Sequence, residues 1–241
     1  MADIDLEALA RGYEHRPSSN ASFRRAESAL EGLPSGGRVL DVGGGRGDHA
    51  ALWAAAGFQA VVLDPSERMA VAAKRHRGVS VARGRGEAMP FADASFALVY
   101  FHLSLHYGDW RSALRETQRV LLPRGRCVIW TLGPRHHRAS MLAQWFPSIA
   151  EIDEARFPDP EEVCRYLVSI GSDVMSGESN EVVKNTASRW RMAVEAGFIS
   201  TLQLIDGAEL RAGLTEFDNS YPDPGEELTY EMHWDWIVSI R

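Results

Sequence analysis

The stretch Arg38-Val-Leu-Asp-Val-Gly-Gly-Gly-Arg-Gly-Asp48 leaves this chain few folds to choose from. Val39 to Val42 read as a short strand, the glycines at 43, 44, 45 and 47 as a turn, and Asp48 onward as a helix. A turn without Cβ atoms lets backbone come close to a ligand, and α/β domains hold nucleotides on this strand, turn and helix. Asp41 sits on the strand, and a second strand, Phe58 to Leu63, runs into Asp64. That acid follows the turn by about 20 residues, the place where such domains take the ribose hydroxyls. A dinucleotide fingerprint of the form G-x-G-x-x-G would need a small residue at 48. Asp48 would instead set a negative charge against a pyrophosphate. A nucleoside ligand without phosphate suits the turn better.

Strands and helices then alternate, as in a doubly wound sheet. Helix 66–76 follows Asp64, strand 79–82 follows it, strand 98–101 comes next, then helix 110–121 and strand 127–132. The 241 residues suffice for one large α/β domain with an accessory region. A net charge of −7 and the lack of any basic run argue against a nucleic-acid partner. No apolar run reaches the ~18 residues of a membrane span. The N-terminus carries neither a basic region nor an apolar core, so no signal peptide is expected. Cys127 and Cys164 form no disulfide framework and no metal spacing, which fits a reducing, cytoplasmic setting with no metal.

The segments "VLDVGGGRG" and "VVLDPSERM" resemble the first two motifs of class I S-adenosylmethionine (SAM)-dependent methyltransferases. "GRGEAMPFADASFALV", residues 84–99, is similar to a third motif, found in the subgroup with the ubiquinone/menaquinone C-methyltransferases. "ALRETQRVLLPRGRCVIW" is similar to a fourth, so the resemblance spans roughly residues 10–133. It implies a Rossmann-like, mostly parallel seven-stranded sheet with an antiparallel last strand, an N-terminal helical lid and a cap in the C-terminal half. It also implies SAM as cofactor, S-adenosylhomocysteine (SAH) as product, and a cofactor site drawn from Tyr13, Arg16, Asp41, Gly43, Gly44, Gly45, Asp64, Pro65, Met69, Gly86, Glu87, Ala88, Phe101 and Leu103. Two residues depart from the pattern. Arg85 stands where an acid usually bonds the adenine amine, and a guanidinium has only donors. Ala97 replaces the acid before the fourth strand.

Within that frame, residues 1–36 are expected as a helical lid, 37–133 as the SAM-binding core, 134–227 as a cap for the substrate, and 228–241 as the closing strand. Helices are expected at 138–146, 158–170 and 185–196, with a strand at 172–183. The aromatic residues Trp145, Phe146, Phe157, Tyr166, Trp190 and Phe217 could enclose an organic acceptor or form a core. Methyl transfer needs positioning and, for some acceptors, a base. His106 is the first candidate and His102 the second, since both follow the fourth strand and imidazole titrates near neutrality. The expected activity is transfer of a methyl group to an O, N or C nucleophile of a small molecule. The competing expectation is a methyltransferase-like binder of SAM or SAH that transfers none. The sequence does not specify an oligomeric state.

Overall fold

The computed structural model describes residues 4–13 and 20–241. A seven-stranded sheet runs in the order β3-β2-β1-β4-β5-β7-β6. The strands are β1 (Arg38–Val42), β2 (Gln59–Asp64), β3 (Val79–Arg83), β4 (Phe96–His102), β5 (Leu121–Thr131), β6 (Asp173–Thr186) and β7 (Glu227–Ile240). β1 pairs in parallel with β2 and β4, β2 with β3, and β4 with β5. β7 runs antiparallel to β5. This is the doubly wound, mostly parallel sheet with an antiparallel closing strand that the sequence led us to expect.

The chain divides into two compact units. The larger comprises residues 20–131, 157–179 and 235–241. Its strands are buried on both faces and are therefore nearly continuous apolar runs. Leu40, Val42, Val61, Leu63, Val99, Phe101, Cys127 and Ile129 point to one face, where α5 (Trp110–Val120) and α9 (Pro160–Ser169) pack. Val39, Ala60, Val62, Leu98, Tyr100 and Val128 point to the other, with α2 (Asn20–Ser28) and α3 (Asp48–Ala55). Trp53 of α3 is wholly buried there, and its indole N–H donates to the Ala26 carbonyl at 2.8 Å. α4 (Glu67–Ala73) opens on Ser66, whose hydroxyl accepts the Met69 N–H.

The other unit holds residues 1–19, 132–156 and 180–234. It contains α1 (Leu6–Gly12), α6 (Pro134–Ala139), α7 (Met141–Trp145), α8 (Ser148–Arg156), α10 (Ala187–Glu195) and α11 (Gly207–Ser220). Trp145, Phe146, Trp190 and Phe217 are its core, each at most 6% exposed, with Trp190 and Phe217 stacked at 4.2 Å. These aromatics hold one another rather than lining an opening. The helix expected over 138–146 is two helices, because Ser140 is extended and its hydroxyl caps α7 through the Ala143 N–H. β5 begins six residues earlier than expected, with Arg124 in the left-handed region at φ 63°. Among the described residues no helix is long and apolar enough to cross a membrane.

Candidate active site

Three of the four glycines after β1, Gly43, Gly45 and Gly47, have φ between 55° and 79°, a region that residues with a Cβ rarely enter. The turn is tied to the end of β2. Gly43 N–H donates to the Leu63 carbonyl at 2.7 Å, and Gly45 N–H to Asp64 Oδ2 at 2.9 Å. Asp64 Oδ1 accepts the Ser66 N–H at 2.9 Å, so this buried carboxylate clips the turn to the start of α4. Met69 points its sulfur toward the turn, 3.8 Å from where a Cβ on Gly45 would stand.

Gly44 lacks a side chain for another reason. A Cβ there would fall 2.6 Å from Asp41 Cγ and 2.7 Å from its Oδ2. Asp41 is 1% exposed, directly under the turn, and its Oδ2 has no hydrogen-bond partner among the described residues. His49 Nδ1 is 3.8 Å away, beyond hydrogen-bond reach, while its Nε2 meets Ser22 Oγ at 2.7 Å. Burial, and secondarily the charges of Asp64 and Asp48, push the Asp41 carboxyl up to about 8.

The segment after β4 closes on the same turn. Ser104 Oγ donates to the Val42 carbonyl at 2.6 Å, and its Cβ occupies the space that Gly43 leaves open. Leu103 adopts φ 53° and donates its N–H to the Trp130 carbonyl at 2.9 Å. A left-handed leucine costs of order 1–3 kcal/mol and persists because its neighbours hold it. His102, half-buried, meets the His49 ring edge-on at 5.1 Å. His106 falls in a one-turn 3-10 helix, Leu105–Tyr107, 9% exposed, its ring stacked on Phe157 at 3.8 Å. Glu87 Oε1 accepts the Asp109 N–H, fastening the 85–88 turn to the start of α5. Gly86 packs on Val42, Ala113 and Phe101, the last being wholly in the core. Ala88 N–H bonds the Arg85 carbonyl, and both side chains are exposed. Pro65 is half-buried beside Asp64.

Asp41, Gly43, Gly44, Gly45, Asp64 and Met69 are thus gathered around one turn, and Gly86 with Phe101 adjoins Val42 at its base. Tyr13 is half-buried at the end of α1, in the other unit. Arg16 lies outside the described residues. Ser104 and His49 escape sequence reasoning. Ser104 carries no motif, and the role of His49 comes only from the strand beneath it. Among the described residues no group of three His, Cys, Asp or Glu could hold a metal.

The other unit carries its own titratable cluster. His136 is buried and its Nδ1 accepts the His233 N–H at 3.2 Å. Burial, joined by the neighbouring histidines, lowers His136 to about 3; His137 is lowered to about 4, chiefly by burial. A cleft of about 610 Å³ in this unit is lined by Ser140, Gln144, Tyr221, Tyr230 and Glu231 among others.

The glycine turn suits the SAM implied by the resemblance. Its backbone is bare of side chains, and an orphaned buried oxygen beneath it suits a cation better than a phosphate. Residues 40–129 match the family model described as methyltransferase domain. Over 194 residues the chain is 30% identical to the demethylmenaquinone methyltransferase of Renibacterium salmoninarum, covering 71% of this chain and 79% of that protein. It is 42% identical over 161 residues to a ubiquinone/menaquinone biosynthesis C-methyltransferase of Rubrivivax gelatinosus, 57% of this chain and 63% of that one. A solved structure of geranyl diphosphate C-methyltransferase from Streptomyces coelicolor, with SAH bound, shares the fold at TM-score 0.58 and 17% identity. That match covers 92% of this chain and 78% of that one.

Proposed function

Since the chain belongs to the class I SAM-dependent methyltransferases, of the type that includes the ubiquinone/menaquinone C-methyltransferases, we propose that it binds SAM on the turn between β1 and α3. It is an enzyme that transfers methyl groups to a small molecule, with SAM as cofactor and SAH as product. When bound, SAM supplies an electrophilic methyl group on a sulfonium. The protein's part is to bind, orient and handle protons.

Gly43, Gly44 and Gly45 offer bare backbone to the cofactor. Asp64, held in place by the Gly45 and Ser66 N–H groups, takes the ribose hydroxyls. Met69 and Pro65 give apolar surface for the adenine, with Gly86, Glu87 and Ala88 on its polar edge. Leu103 and Phe101 shape the floor. Arg85 is exposed and takes no part in this assignment. The two relatives are named for quinone biosynthesis, which supports a ring carbon as the acceptor's nucleophile. Removing a proton from a ring hydroxyl raises electron density at such a carbon, and His106 and His102 are assigned to that task. His102 is the more open of the two; His106 is held in orientation by Phe157.

One observation carries this reading: a glycine turn clipped by Asp64 above a buried Asp41 oxygen that no group among the described residues satisfies. Titration calorimetry tests it. SAM and SAH should bind, and Asp64→Ala should weaken both by ~1.5–3 kcal/mol through loss of a charged acceptor. Binding of NAD with none of SAM would overturn it.

A further inference from the structure

Three carboxylates surround the glycine turn: Asp41 near the end of β1, Asp64 at the end of β2 and Asp48 in the first turn of α3. Their surroundings differ. Asp64 accepts two backbone N–H groups, and Asp48 is half-buried with His76 Nε2 3.6 Å away. Asp41 is the most buried of the three, and its Oδ2 receives no donor among the described residues. Among the described residues the following groups face it. From α3 comes His49, turned to Ser22 of α2 by its other nitrogen. From β4 comes Tyr100, fully buried, whose hydroxyl has no partner among the described residues, with His102 stacked on it at 6.2 Å. Asp64 and Asp48 add like charge, and Arg25 of α2 acts on Tyr100. Among the described residues no Lys or Arg forms an ion pair with Asp41, and the nearest basic nitrogen is His49 Nδ1 at 3.8 Å. A buried carboxyl without a donor, between two like charges, keeps its proton at neutrality.

A cation delivered to the turn reverses that balance. We propose that Asp41 selects the charge state of the cofactor: it is protonated in the free protein and releases its proton to solvent when a cationic cofactor binds. The proposal rests on the turn being the SAM site. SAM carries an ammonium, a carboxylate and a sulfonium, net +1, whereas SAH has lost the sulfonium and is neutral overall. In the release step the carboxyl O–H bond breaks heterolytically. The electron pair stays on the oxygen, and the proton passes to bulk water. Once the methyl group has left, no net positive charge holds the carboxylate ionised, so Asp41 recovers a proton and the product loses an attraction that the substrate form had. The site thereby discriminates between two ligands of nearly equal shape.

Calorimetry at pH 7 in two buffers of different ionisation enthalpy counts the proton. With the carboxyl at about 8, roughly 0.9 proton should leave per SAM bound. Sinefungin, with a protonated amine in place of the sulfonium, should behave as SAM does, while SAH should release far less. SAM affinity should rise about tenfold per pH unit from 6 toward 8. The same titrations on Asp41→Asn subtract the ligands' own amine titration and should lose the difference between SAM and SAH. If that variant binds too weakly, difference infrared spectra of the wild type read the carboxyl directly. The C=O stretch of a protonated, buried carboxyl should vanish with SAM and persist with SAH. Equal proton release for SAM and SAH, or a carboxyl band that survives SAM, overturns the proposal while leaving the site assignment standing. Failure of SAM, SAH and sinefungin all to bind would bring down the site assignment itself.

Discussion

Gly44→Ala isolates the contact on which the turn's shape depends. Gly44 differs from Gly43, Gly45 and Gly47 in having an ordinary φ, so alanine is conformationally allowed and acts through its methyl group alone. That methyl would stand 2.6 Å from Asp41 Cγ, 2.7 Å from Oδ2 and 2.9 Å from Cβ, well inside van der Waals contact. Asp41 cannot retreat, since it is buried on a strand paired on both sides. Either the turn lifts or the side chain leaves its rotamer. Overpacking of this kind costs ~1–3 kcal/mol. For a chain of this size that lowers Tm by roughly 2–12 °C. SAM affinity should fall with it, because the turn moves. Melting curves and SAM calorimetry on four proteins complete the argument: wild type, Gly44→Ala, Asp41→Ala and the double variant. With the carboxylate gone, the contacts at 2.6 and 2.7 Å are relieved and only the one at 2.9 Å to Cβ is left, so the two changes should couple by ~0.5–3 kcal/mol. A Gly44→Ala protein with wild-type Tm and SAM affinity refutes the reasoning, as would the same cost in both backgrounds.

Three further outcomes follow from the same geometry. His106→Phe preserves the stack on Phe157 without a proton acceptor, so Tm and SAM affinity should hold while turnover falls ~10²–10⁴-fold; full turnover would remove His106 from the chemistry. His136 and His137 are held neutral, at about 3 and about 4, below the ordinary value of 6.5. The unfolded chain therefore binds more protons than the native one between those values, and the stability of their unit is complete above 6.5 and lost as pH falls toward 4. Each should contribute about 2 kcal/mol of that loss by pH 5, and a denaturation midpoint that stays flat from pH 7 to 5 would contradict it. Burial pushes the Cys127 thiol far above its ordinary value, so a thiol reagent at pH 8 should label Cys164 in the folded protein and reach Cys127 only after denaturation.

Much of the larger unit was legible because its signals are local. Val39 to Val42 and Val61 to Leu63 are apolar runs bounded by glycine or aspartate, and no other element suits them. The other unit hides its helices. α11 contains Gly207 and Gly213, which depress helix propensity. Gly213 is required because a Cβ there would collide with the Trp145 carbonyl and the Phe146 ring, a contact between residues far apart in sequence. α8 buries Asp153 beside Ile149, which blurs its apolar stripe; Thr201, a residue on another element, holds that acid by a hydrogen bond at 2.5 Å. The glycine turn followed the same division. Its glycines and Asp64 were readable from spacing. The reason for Gly44, the seat of Ser104 under Gly43 and the stacking of His106 exist only once strands meet.

The sheet order has a consequence for how this chain folds. β1 to β5 pair among themselves, all within residues 38–131, with a single crossover from β3 to β4, so that part of the sheet can form before the later strands are made. β6 is different. Its single neighbour in the sheet is β7, which comes only after α10 and α11 have been made. Until then β5 and β6 both present bare edges, with Met175 and Val182 exposed along the latter even in the finished protein. A nascent chain stalled before residue 227 would hold two sticky ribbons and no strand to join them. Until that one segment arrives, the unpaired edges leave the chain open to aggregation.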